Sequence, residues 1–173
     1  MSQSSKEFSR TLSSYMDTRQ VLKLQLRDLS NLKTQTTYAD LSTIDNLKQS
    51  VSSSRLQAKN NEDIEVATAK FKNIQKDLVQ LTHDLVVHQR ALEAEVDTDN
   101  VEDRSDGGLD LKCARTICHD IQQQSLLELC LTEKLCAENL DNDVLVTISQ
   151  CFAQEVYMNT SLISDVLSHV SAK

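Results

Sequence analysis

Glycine and proline are nearly missing from this chain. Its 173 residues include no proline, no tryptophan and only two glycines, the adjacent Gly107 and Gly108, and aromatics make up 3%. Folds that turn tightly, or bring backbone close to a phosphate, need glycine at those points. Barrels, sandwiches, Rossmann units and P-loops, which need those glycines, are poorly served by this composition. Long stretches without Gly or Pro punctuation are what long helices look like. No apolar run approaches the ~18 residues that a membrane span requires. The opening residues, Met1-Ser2-Gln3-Ser4-Ser5-Lys6-Glu7, have no apolar signal-peptide core. Lipid-anchor signals at position 2 and at the C-terminus are missing as well. The expectation is an intracellular, soluble protein, cytosolic or nuclear.

Acidic residues outnumber basic ones, but unevenly along the chain. The formal net charge is −8. Residues 1–60 carry nine Lys/Arg against five Asp/Glu, whereas every later segment is net acidic. An acidic chain is a poor general binder of nucleic acid or of anionic membranes. A mildly basic first segment beside an acidic remainder suits self-packing or a protein partner.

What the chain does have is periodicity. Ile64, Ala67, Phe71, Ile74, Leu78, Leu81, Leu85, His88 and Leu92 alternate steps of three and four, and Val96 follows four later. That is a heptad seam over about four heptads, the spacing that keeps one stripe against a partner helix. It predicts a helix over 61–96. Upstream, Leu22, Leu26 and Leu29, then Leu41, Ile44, Leu47 and Val51, predict a long helix over 16–58. A reversal near 58–62, at Asn60-Asn61, would lay the two helices antiparallel. Residues 1–15 are expected to be a flexible N-terminus. Residues 97–109 are acidic and contain both glycines, so they read as a mobile linker.

The C-terminal part, 110–173, reads as a second helical hairpin. One helix spans about 110–138, and a last helix begins after Asp141, its expected N-cap. The last helix has an apolar stripe two residues wide, which includes Phe152, Val156, Leu162 and Leu167. A stripe that broad packs against more than one neighbour. The expected fold is all-α: an elongated antiparallel hairpin over 16–96, an acidic linker, and a C-terminal hairpin.

Signals for chemistry are weak. The five cysteines, 113, 118, 130, 136 and 151, lie in the C-terminal half. An odd count without a signal peptide argues against a secreted disulfide framework. Cys113, Cys118 and His119 are the nearest approach to a ligand cluster, but they lack the paired spacing of structural zinc. Residues five apart on a helix point about 140° apart, so core cysteines are the simpler reading. Neither a nucleophile with its base nor a glycine-rich oxyanion turn is present. His88, on the seam, reads as a packing or register residue. The acidic residues Glu93, Glu95, Asp97 and Asp99 read as a solvated run. No catalytic, cofactor or metal site is expected, and the chain reads as a non-enzyme.

Short motifs are also present. Arg10-Thr11-Leu12 and Arg27-Asp28-Leu29 match a loose cyclin-docking pattern. Ser2-Gln3, Thr34-Gln35 and Ser149-Gln150 have the form that checkpoint kinases prefer, and Asn159-Thr160-Ser161 matches the glycosylation acceptor pattern.

Two regions carry a family resemblance. Leu126-Leu127-Glu128, Leu135, Ala137-Glu138-Asn139-Leu140-Asp141, Asp143, Leu145, Ile148-Ser149 and Tyr157 resemble the closing hairpin of the cyclin-dependent-kinase-2-interacting protein family. The stretch from Phe71 to Leu92 resembles that family's central coiled coil. Together they cover about half of the chain. The resemblance implies a non-catalytic nuclear adaptor without cofactors. Its implied partners are cyclin-dependent kinase, replication-origin and checkpoint proteins, and subunits of an AAA-ATPase assembly in ribosome biogenesis. The residues expected to form the packing seam or partner surface are Ile64, Phe71, Ile74, Leu78, Leu81, Leu85, Leu92, Phe152, Val156, Leu162 and Leu167. The alternative reading is a coiled-coil subunit of a spindle or kinetochore complex, or of a vesicle-tethering complex.

Overall fold

The computed structural model describes residues 2–45, 50–98, 109–136 and 140–171. Every regular element among them is helical. In chain order they are α1 (Gln3–Asp45), α2 (Ser50–Thr98), α3 (Leu111–Leu135), α4 (Asn142–Gln154) and α5 (Thr160–Ser171). The all-α expectation is met.

Helix α1 begins at Gln3, not at residue 16, and its first turns are core. Phe8, Leu12, Tyr15, Arg19, Leu22, Leu26 and Leu29 are all buried, in alternating steps of four and three. Residues 3–15 are therefore helix and core, where a flexible N-terminus over 1–15 was expected. The seam of α1 is as regular as that of α2, but Arg19 interrupts its apolar reading.

The reversal expected at 58–62 is replaced by unbroken helix, because α2 starts at Ser50. Asn60 and Asn61 are only slightly poorer helix formers than their neighbours, so nothing in them forces a break. The connection between α1 and α2 falls at 46–49, outside the described residues. Asp97 and Thr98 belong to α2, and Leu109 packs partly buried against the core; the rest of the expected linker, 99–108, also lies outside the described residues.

Side-chain pairs give the directions. Ser4 Oγ donates to Glu95 Oε1 at 2.5 Å, and His88 Nδ1 lies 3.7 Å from Glu7 Oε2, so α1 and α2 are antiparallel. Thr82 and Ser125 share a hydroxyl hydrogen bond of 3.0 Å. Arg115 Nε donates to Glu93 Oε1 at 2.5 Å. These place α3 antiparallel to α2. Ser30 and Ser149, 3.1 Å apart, place α4 on α1. Both α4 and α5 pack against α1 and α3. The result is an up-down-up-down four-helix bundle whose fourth helix is broken in two.

One apolar cluster runs through all five helices, from Phe8 to Val166. The two hairpins therefore share one core. Diagonal contacts close the centre: the Phe71 and Phe152 rings meet edge-on, with centroids 5.9 Å apart. Edge-to-face pairing suits the ring quadrupoles and adds about 1 kcal/mol to the burial itself.

The fourth helix breaks where the sequence predicts continuity. Glu155 caps α4 in the left-handed region, φ 49° and ψ 47°. For a residue with a Cβ this costs about 1 kcal/mol, so tertiary contacts must hold it. Arg19 and Lys23 both donate to its carboxylate. Tyr157 N donates to Gln124 Oε1 at 3.2 Å. Asn159, the glycosylation-pattern asparagine, then caps α5, its Oδ1 accepting from Leu162 N at 3.1 Å. Asp141 stands at the α4 N-cap as expected, but makes no side-chain cap hydrogen bond.

Candidate functional site

The expected seam of α2 splits into two kinds of position. Phe71, Leu78, Leu85 and Leu92 are buried, while Ile64, Ile74 and Leu81 are only partly so. The buried stripe is instead completed by Gln75 and Thr82. The helix faces two neighbours at once. The flank with His88 turns to α1, and the flank with Gln75 and Thr82 turns to α3. A two-helix seam alone would bury the first flank and leave the second wet. Phe152 is core, Leu162 and Leu167 are partly buried against it, and Val156 is 58% exposed. Val156 is displaced from the packed face because the helix ends at Gln154.

Two features stand out in the assembled bundle. The first is a charged cluster in its interior. Arg19 is 2% exposed and Glu128 3%. Arg19 Nη2 donates to Glu128 Oε1 at 2.7 Å, and Nε to the same oxygen at 3.2 Å. Gln124 Nε2 donates to that oxygen too, at 2.8 Å. Glu155 takes the third guanidinium nitrogen and the Lys23 ammonium. Burial works against the Arg19 charge, but the Glu128 carboxylate outweighs it and holds the guanidinium pKa above its usual value. Burial would likewise raise Glu155, but the hydrogen bond from Lys23 and the Arg19 charge hold it below the usual carboxylate range. Tyr15, one turn before Arg19, is pushed up to about 12 by burial and by the nearby Glu128 charge. The cluster ties α1, α3 and the α4–α5 break together in one register. Its carboxylates are occupied by cations, and this is the arrangement of a fastener.

The second feature is an open groove of about 510 Å³ between α2 and α3. Its walls are apolar: Val79 (46% exposed) and Leu129 (42% exposed) face each other across it. Lys72 and Lys76 stand on the α2 side, one helical turn apart, and Glu133 on the α3 side. Thr132 and Cys136 also line it, and the Thr132 hydroxyl is spent on Glu128 O at 2.8 Å. Gln75 lines the groove at 6% exposure, and among the described residues its Nε2 has no hydrogen-bond partner. Leu126, one turn before Leu129, is 59% exposed.

The cysteines do not converge. Cys118 is buried and donates to Leu85 O at 3.6 Å. Cys113 donates to Asp110 Oδ2 at 3.7 Å, and His119 is exposed. Among the described residues, no group of three or more His, Cys, Asp or Glu is placed to hold a metal ion. None of the described helices is long and apolar enough to cross a membrane. Of the cyclin-docking patterns, Leu12 and Leu29 are both fully buried in α1. That occupies the leucine such docking would require.

Reading the sequence alone missed the α1 seam above Leu22, the Arg19 cluster and the groove. The seam had a signal, the unbroken four-three steps from Phe8 to Leu29, masked by one arginine. The other two depend on which helices become neighbours. No family model, curated protein or solved structure matches the chain.

Proposed function

We propose that this protein is a non-catalytic helical adaptor, a subunit that holds partners through its helix surfaces. The observation that carries this reading is the apolar groove between α2 and α3, with Val79 and Leu129 on its walls and Leu126 beside it. Exposed aliphatic side chains clustered at a concave surface are what a partner helix covers. The interior offers a different kind of support. A bundle fastened by Arg19, Glu128 and Glu155 presents its outer faces in a fixed register, and fixed surfaces bind with less ordering cost.

The resemblance to the cyclin-dependent-kinase-2-interacting protein family suggests who the partners are. On that reading they are cyclin-dependent kinase, replication and checkpoint factors, and AAA-ATPase subunits, met in the nucleus. Affinity purification of the tagged full chain with amine cross-linking tests both levels. Replication, kinase or AAA-ATPase proteins cross-linked to it are the expected result. Spindle, kinetochore or vesicle-tethering proteins in their place would keep the adaptor reading and replace the family. A chain that stays monomeric and cross-links to nothing would end the adaptor reading.

A further inference from the structure

We infer that the groove between α2 and α3 is a docking site for an acidic amphipathic helix from a partner protein. In this complex an aliphatic side chain of the partner lies between Val79 and Leu129, and a flanking carboxylate meets Lys72 and Lys76. The inference rests on the adaptor reading and specifies its surface.

Three observations select this occupant. The walls are apolar and open along the two helices, which suits a side chain carried on a helix. The rim is basic on the α2 side, where Lys72 and Lys76 stand one turn apart, and acidic on the α3 side at Glu133, so the carboxylates of the occupant fall on the α2 side. Opposite charge at a rim steers the encounter and fixes orientation. Gln75 supplies the third. It is only 6% exposed, and among the described residues its amide nitrogen has no hydrogen-bond partner. Buried donors are nearly always satisfied, and an unsatisfied one asks for a partner.

The chain cannot supply this ligand from its own acidic stretch. Residues 99–108 are tethered at both ends, and ten residues out and back reach about 17 Å. Lys76 lies 22 residues before Thr98 on α2, about 33 Å away.

The test uses the intact chain and a fluorescently labelled helical peptide with a leucine stripe flanked by glutamates. Binding that weakens with salt is expected, and so is a loss of about tenfold in Lys72→Glu/Lys76→Glu. Leu129→Ser should weaken binding as well. A peptide with lysines in place of the glutamates should bind the charge-reversed variant better than the native chain. That swap keeps the outcome readable, and far-UV circular dichroism checks that each variant is folded. Equal binding of acidic and basic peptides, or no effect of the lysine reversal, overturns the inference. A dimer of the chain that is lost in Lys72→Glu/Lys76→Glu would overturn it too, by making a second copy the occupant. The cross-linking experiment separates the two levels. Partners that remain bound to the lysine-reversed chain remove the groove and leave the adaptor standing.

Discussion

Removing Arg19 should cost this bundle more than removing any surface ion pair. The guanidinium and the Glu128 carboxylate are both almost wholly out of water. An Arg19→Met substitution strands Glu128 in the interior with Gln124 as its remaining hydrogen-bond donor among the cluster residues. Breaking a buried pair from one side costs about 3–5 kcal/mol, because the surviving charge is buried without compensation. The Gln124 bond, and the Lys23 ammonium that stays on Glu155, argue for the lower end, about 3 kcal/mol. A domain of this size is stable by only about 5–15 kcal/mol, so the loss is easy to see. The double variant Arg19→Met/Glu128→Leu removes both charges and leaves apolar side chains in their place. It should recover most of the loss, since apolar replacement of a buried pair is often neutral or better. Urea denaturation followed by circular dichroism, run as a double-mutant cycle, gives the coupling directly. A single variant that loses less than about 1 kcal/mol, or a double variant as unstable as the two singles added, would refute the buried fastener.

Three other consequences are as direct. At position 155, Gly should be more stable than Ala by about 1 kcal/mol in a matched pair of variants, because both lack the carboxylate and only Gly relieves the left-handed backbone; equal stability would mean that α4 and α5 do not break there in solution. Tyr15 has a folded-state pKa of about 12 against an ordinary 10. The protein should therefore lose stability as pH rises through that window, where the unfolded chain ionises first. Tyrosinate absorbance read alongside unfolding should show the loss, and Tyr15→Phe should remove it. A thiol reagent at mildly alkaline pH should modify the exposed Cys130 first. Cys118, buried and pushed up to about 12 by burial and the Glu93 charge, should react only on unfolding. Equal rates would place Cys118 outside the core.

Helical content and the α2 seam could be read from composition and spacing. A chain without proline, with its two glycines side by side, has few ways to stop a helix, and four-three steps give a helix a face. That local information reached its limit at Arg19, Gln75 and Glu155. Arg19 looks like a surface residue until Glu128, more than a hundred positions later, arrives beside it. Gln75 looks like a solvated residue until α3 covers that flank of α2. Glu155 sits in a stretch that could continue as helix, and its left-handed turn exists because Arg19 and Lys23 draw its carboxylate from another helix.

The chain's own residues therefore determined that it is helical, roughly where its long helices run and which stripes are apolar, because propensity and periodicity act over a few residues. How many neighbours each helix has, where the fourth helix breaks and which polar groups share the interior were set by the way the helices assemble. Those outcomes depend on contacts between residues far apart in the chain, and no local pattern encodes the partner that a side chain will meet.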